Sequence, residues 1–271
     1  MVDGPAFTPP TRRYSCTMDA VSPISESPDK ESSDPEAWDP EAAFMAAPNR
    51  ELLDTVRAAL REQADPARAA GAQAYMKSSL PSLGVRVPEV RRVALAAAAA
   101  QPFTSAGQLR ATVLELWRDS TVREERYAAI DLTSLRLVAR DQLMLPVYEE
   151  IIRTGAWWDF VDGVSPRIGG LLHAHRPMMT GLLLAWSTDQ DFWIRRSAIT
   201  SQLKAKGRTD QALLRAVIEP NLADPEFFIR KAIGWALREY AKADPDWVRN
   251  YVVEKGTRLS PLSRKEALRH L

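Results

Sequence analysis

The chain has 271 residues, 45% hydrophobic and 26% charged, enough to bury a sizeable core. Nothing in the composition argues for a membrane or fibrous class, and the chain holds no apolar run of the roughly 18 residues a membrane helix needs. The formal charge of +1 hides an asymmetry. Residues 1–49 carry 3 basic and 9 acidic side chains, a net of −6, whereas residues 50–271 carry 33 basic against 26 acidic, a net of +7. A basic folded part is compatible with a nucleic-acid partner, although charge alone does not separate that from ordinary solubility.

Residues 1–45 are rich in Pro, Ser and acidic residues, show no helical or strand period, and are expected to form a disordered acidic tail. The tail holds Cys16, the sole cysteine, so the core is expected to contain no disulfide, thiolate metal site or catalytic thiol. It lacks the apolar run of a signal peptide, and a cytoplasmic protein is the expectation.

Residues 46–271 read as one domain. Apolar residues recur at i, i+3, i+4 and i+7, with proline or glycine between segments and no strand signal. The expected helices are 50–63, 66–79, 88–100, 105–117, 121–136, 141–155, 157–172, 176–187, 191–206, 209–219, 225–242, 244–255 and 261–270. Asp191-Phe192-Trp193-Ile194-Arg195-Arg196 aligns with Glu226-Phe227-Phe228-Ile229-Arg230-Lys231 at an offset of 35, and Asp119, Val122 and Arg123 fall 72 residues before their counterparts. A repeat of that length describes paired helices stacked as an all-α solenoid with a concave groove.

The chemistry concentrates at Trp157-Trp158-Asp159-Phe160-Val161-Asp162. Trp158 and Asp162 are four apart and share a helix face, so they can present an indole and an anion to one flat cationic ligand. Trp157 reads as a core residue. Asp159 points elsewhere and suits a cap or a structural pair. Asp162 precedes Gly163 and therefore also fits a helix end without chemistry. Arg196, Thr200 and Lys204 form an i, i+4, i+8 stripe, and Lys231, Trp235 and Arg238 form another one repeat later. Solvated faces with intrahelical pairs would explain such charge, but tryptophan interleaved with arginine points to a phosphate backbone. His173 and His175 have no acidic or thiol companions and read as surface residues, so no metal is expected.

Several segments resemble one family. Ala74-Tyr75-Met76-Lys77 with Leu83-Gly84 and Pro88-Glu89, the Trp157–Asp162 run, Arg196 with Gln202-Leu203-Lys204, the run Phe228–Lys242 and Pro261-Leu262-Ser263 occur in order over some 220 residues. The chain from about Arg50 to Leu271 is similar to the AlkD-like DNA alkylation-repair glycosylases, α-helical proteins of HEAT-like repeats. Val87 departs from the family pattern, which has a hydroxyl residue there, and the tail has no counterpart. The resemblance implies a monofunctional enzyme that removes cationic N3- and N7-alkylated purines, such as 3-methyladenine and 7-methylguanine, from duplex DNA and leaves an abasic site. It implies that Trp158 and Trp235 contact the lesion nucleotide and that Asp162 lies near the anomeric carbon. Arg196, Arg238 and Lys204 would hold phosphates, with Tyr75, Lys77 and Lys231 as further DNA contacts. No cofactor is implied, and a monomer is the expectation. Two other readings remain at this point: a catalytically silent solenoid that binds distorted or branched DNA, and a protein-interaction scaffold.

Overall fold

A computed structural model describes residues 46–271; the expected tail and Cys16 lie outside the described residues. The described residues form α-helices and short 3-10 turns with no strand. The helices are α1 (Arg50–Glu62), α2 (Pro66–Met76), α3 (Val87–Ala100), α4 (Ala106–Arg118), α5 (Arg123–Leu132), α6 (Leu145–Gly155), α7 (Trp158–Ala174), α8 (Arg176–Trp186), α9 (Phe192–Thr200), α10 (Gln211–Ile218), α11 (Phe227–Ala241), α12 (Pro245–Lys255) and α13 (Pro261–Ala267). Each expected segment therefore holds one helix. Their starts are written in the sequence. Asp65, Asp191, Asp210, Glu226, Asp244 and Ser260 each accept a backbone N–H from the following first turn, and proline occupies that turn in α2, α12 and α13, where its missing N–H is harmless.

Packing follows two rows. α3, α5, α7, α9, α11 and α13 each pack on the next, and α4, α6, α8 and α12 pack on α5, α7, α9 and α11 from the other row. This is a helical-repeat solenoid. The repeat is visible in side-chain bonds that tie one unit to the next: Arg123 to Asp159, Arg153 to Asp189, Asp162 to Arg196, Ser165 to Thr200 and Lys231 to Glu266, all between residues 34 to 36 apart. Asp191 and Glu226 cap α9 and α11 in the same way, as the offset of 35 requires. Asp119 departs from the pattern, ending α4 while Val122 precedes α5.

The differences lie at helix ends and have local causes. Residues 66–79 stop at Met76 because Lys77 adopts the left-handed region at φ 48°. Residues 191–206 stop at Thr200, where Thr200 and Ser201 turn their hydroxyls onto the carbonyls of Arg196 and Ala198 and compete with the helix. The expected i, i+4, i+8 stripe is therefore broken: Lys204 sits on the following turn, and Thr200 is buried against Ser165 of α7. In turn α7 continues past Gly163 to Ala174, which removes the helix-end reading of Asp162. Among the described residues no helix is long and apolar enough to cross a membrane.

Candidate active site

The site is assembled by α7, α9 and α11. A cleft of ≈ 520 Å³ is lined by Asp162, Ser165, Pro166 and Gly169 from α7, Lys204 from the turn after α9, and Trp235 from α11. Small residues make the cleft possible. A Cβ at Gly169 would lie 2.6 Å from the carbonyl oxygen of Ser201, so only glycine lets this turn approach α7. Pro166 has no N–H to donate to the carbonyl of Asp162 four residues back, leaving that oxygen without its usual helical partner. The turn itself is tied down by Gln202, whose side chain accepts from Asp210 N–H (2.8 Å) and donates to Asp210 C=O (3.1 Å).

Asp162 is held by a planar fork. Arg196 donates from Nε to Oδ1 (2.9 Å) and from Nη2 to Oδ2 (2.8 Å), while its Nη1 donates to the Phe228 carbonyl (2.7 Å). The Arg196 side chain is 4% exposed and that of Asp162 16%. Burial pushes the Asp162 carboxyl above its ordinary value. The two Arg196 bonds and charge oppose that shift, and the nearby Asp159 charge adds to it. The Arg196 guanidinium also sits 5.9 Å from the ring centroid of Trp235, so carboxylate, guanidinium and indole lie in sequence. Asp159 turns away from the cleft and pairs with Arg123 (2.7 and 2.8 Å), accepting also from the Tyr127 hydroxyl.

Of the catalytic and DNA-binding residues expected from the sequence, Asp162, Trp235 and Lys204 meet at the cleft. Trp158 is half-buried at the first position of α7, one turn before Asp162, and rests partly on the core outside the cleft lining. Its neighbour Trp157 packs against Trp193 (centroids 6.3 Å) and Phe228 (5.6 Å), the core role read for it. Arg196 requires a correction: it is not a groove-surface cation, because its fork is engaged with Asp162 and a backbone carbonyl in a buried site. Arg238 and Lys231 are also paired, both to Glu266 of α13, with Lys231 Nζ at 2.7 Å. Lys231 in particular holds the Glu266 carboxyl below its usual range. Tyr75 and Lys77 are exposed on and just after α2, which contributes nothing to the cleft lining. The sequence reading missed Glu266 and the Asp162 partnership of Arg196. Both were signalled by an acid and a base one repeat apart.

Among the described residues no group of three or more His, Cys, Asp or Glu is placed to hold a metal ion. Chemically, the cleft offers a desolvated anion in fixed orientation, an aromatic face and a nearby free ammonium.

A family described as DNA alkylation repair enzyme matches residues 56–271. A solved structure described as a predicted DNA alkylation repair enzyme from Enterococcus faecalis is similar at 31% identity, covering 77% of this chain and 97% of its own, with a TM-score of 0.63. The alkylpurine DNA glycosylase AlkC of Pseudomonas fluorescens, bound to DNA containing an abasic site analog, is similar at 18% identity over 86% of this chain and 64% of its own, with a TM-score of 0.49. No curated protein matches the chain.

Proposed function

We propose, from the premise that this chain belongs to the family of DNA alkylation repair enzymes, that it is a monofunctional DNA glycosylase. It hydrolyses the N-glycosidic bond of cationic N3- or N7-alkylated purines in duplex DNA and leaves an abasic site. The observation that carries the reading is the Asp162 carboxylate, oriented by two Arg196 bonds at the wall of a cleft shared with Trp235.

The chemistry needs little more. An alkylated purine already bears positive charge, so it leaves as a neutral base without a general acid, and the sugar becomes an oxocarbenium-like cation. An anion fixed beside that carbon stabilises the developing charge at the moment it appears, without having to reorganise, and its second oxygen can orient the attacking water. Such preorganised groups contribute on the order of 3–4 kcal/mol to a barrier. Trp235, and Trp158 one turn from Asp162, offer π faces to the cationic nucleoside. Lys204 supplies a phosphate contact at the cleft. Arg238 and Lys231 remain DNA contacts in this reading once a phosphate competes with Glu266, and Tyr75 and Lys77 add contacts from α2.

The test is incubation of methylated duplex DNA with the wild-type protein and with Asp162→Asn, followed by chromatography of released bases. Asparagine keeps an acceptor for Arg196, so duplex binding should persist while release of 3-methyladenine and 7-methylguanine is lost. Full release by the variant would remove Asp162 from the mechanism. Duplex binding by a wild-type protein that releases no base would favour the silent DNA-binding solenoid.

A further inference from the structure

The cleft does not end at Asp162. It runs along α7 to His173, three turns and about 16 Å away, where Arg176 at the start of α8 and Arg208 of the Lys206–Arg208 turn complete its lining. The charges at this far end are unevenly balanced. Arg176 pairs with Asp210 (2.9 Å), and Glu239, which lines the cleft from α11, pairs with Lys242 (2.7 and 2.8 Å). Lys204 and Arg208 have no carboxylate partner among the described residues. Arg208 is exposed and donates from Nη1 to His173 Nε2 at 3.2 Å. Arginine has no lone pair to offer, so His173 Nε2 is the acceptor of that bond. That single acceptor positions the guanidinium, which lines the cleft with its remaining donors unpaired among the described residues.

We propose that Arg208, steadied by His173, is a phosphodiester subsite that grips the DNA backbone at a distance from the reacting nucleotide. The proposal rests on the reading of this cleft as a DNA site. A planar guanidinium with free donors and no carboxylate partner matches a phosphate, whereas the anionic, aromatic end at Asp162 and Trp235 matches a cation. Phosphates of one strand recur every 3.4 Å or so along the duplex. With the duplex axis laid along α7, a separation of about 16 Å corresponds to four or five base steps on one side of the target.

The experiment compares wild type, Arg208→Gln and Arg208→Lys in duplex binding between about 50 and 200 mM salt, with base release at saturating methylated DNA measured alongside. Arg208→Gln should weaken binding several-fold at low salt and lower the slope of log affinity against log salt by about 1. Arg208→Lys should retain most of that slope, and the release rate at saturation should not change. The difference between wild type and Arg208→Gln should vanish when the duplex is trimmed to fewer than about four base pairs on one flank only, which a merely structural arginine would not produce. Equal slopes for wild type and Arg208→Gln, or a difference that ignores both flanks, overturn the subsite. So does loss of that difference on adding inorganic phosphate at matched ionic strength, which would make it a site for the free anion. A wild-type protein that releases no base yet shows the flank-dependent slope change would sink the glycosylase reading and leave this subsite standing.

Discussion

A carboxylate as buried as Asp162 stays ionised near neutral pH only when something replaces its lost hydration, and the fork of Arg196 does so with two charge-assisted bonds. Because burial still leaves the Asp162 carboxyl above its ordinary value, base release should fall on acidification at a pH above the 3.9 or so of a free aspartate. The sign for stability is opposite. Ionising Asp162 is harder in the fold than in the unfolded chain, so its contribution to stability is full below the ordinary value and is lost as pH rises through the raised one. Arg196→Lys keeps the charge but loses the fork, a change worth roughly 1.5–3 kcal/mol per charged hydrogen bond. The acid limb of the release profile should move to higher pH and the neutral-pH rate should drop by about tenfold to a hundredfold; a pH–rate profile measures both, and an unmoved limb would show that Arg196 does not orient the carboxylate. The i+4 rule, being local, placed Asp162 one turn after Trp158 on α7, but only Asp162 of the two lines the cleft. Arg196 was misread because its partner lies a whole repeat away, and a stripe counted along one helix says nothing about which neighbour that helix faces.

At the scale of elements, glycines show where helices are forced together. A Cβ at Gly234 of α11 would meet Glu266 Cβ at 2.5 Å and the Ser263 carbonyl at 2.9 Å, neither of which can swing aside. Gly234→Ala should therefore push α13 off α11, cost about 1–3 kcal/mol by overpacking and loosen the Glu266 bonds to Lys231 and Arg238. Gly181 of α8 is the counter-case, exposed with nothing within 4 Å of a new Cβ. Gly181→Ala should stabilise by about 0.5–1 kcal/mol through helix propensity. Denaturant melts of the two variants should move in opposite directions, and a neutral Gly234→Ala would show that the helix contact is not tight. The existence of each helix could be read from apolar spacing and proline punctuation, since both act within one segment. Helix ends could not. α9 stops at Thr200 because hydroxyls at Thr200 and Ser201 have carbonyls to bond, and α7 runs on through Gly163 because α5 packs against it, with Ile130 3.1 Å from where a Gly163 Cβ would stand.

Across the described residues, stability is distributed along the stack rather than held in one centre, since each unit bonds the next at the same offset and buries its apolar face there. α2 stands outside this arrangement. It buries no residue, and its Tyr75 is 72% exposed. Its attachments are polar and sit at its N-terminal end: Asp65 N–H to the Leu83 carbonyl (2.8 Å) and Arg68 Nε to the Gly84 carbonyl (2.9 Å). Gly84 takes φ 77° there, where a Cβ would collide with the Asp65 carbonyl at 2.2 Å. A helix anchored at one end with no buried side chain opens at little free-energy cost, because local opening scales with the apolar contacts that must be broken. Hydrogen exchange should therefore strip protection from α2 long before α5, α7, α9 or α11. If Tyr75 and Lys77 touch DNA as proposed, saturating duplex should slow exchange in α2 more than in any of those helices, because only α2 has order left to gain. Slow exchange in α2 without DNA would mean that contacts beyond its polar anchors hold it. Fast exchange unchanged by DNA would remove Tyr75 and Lys77 from the binding surface.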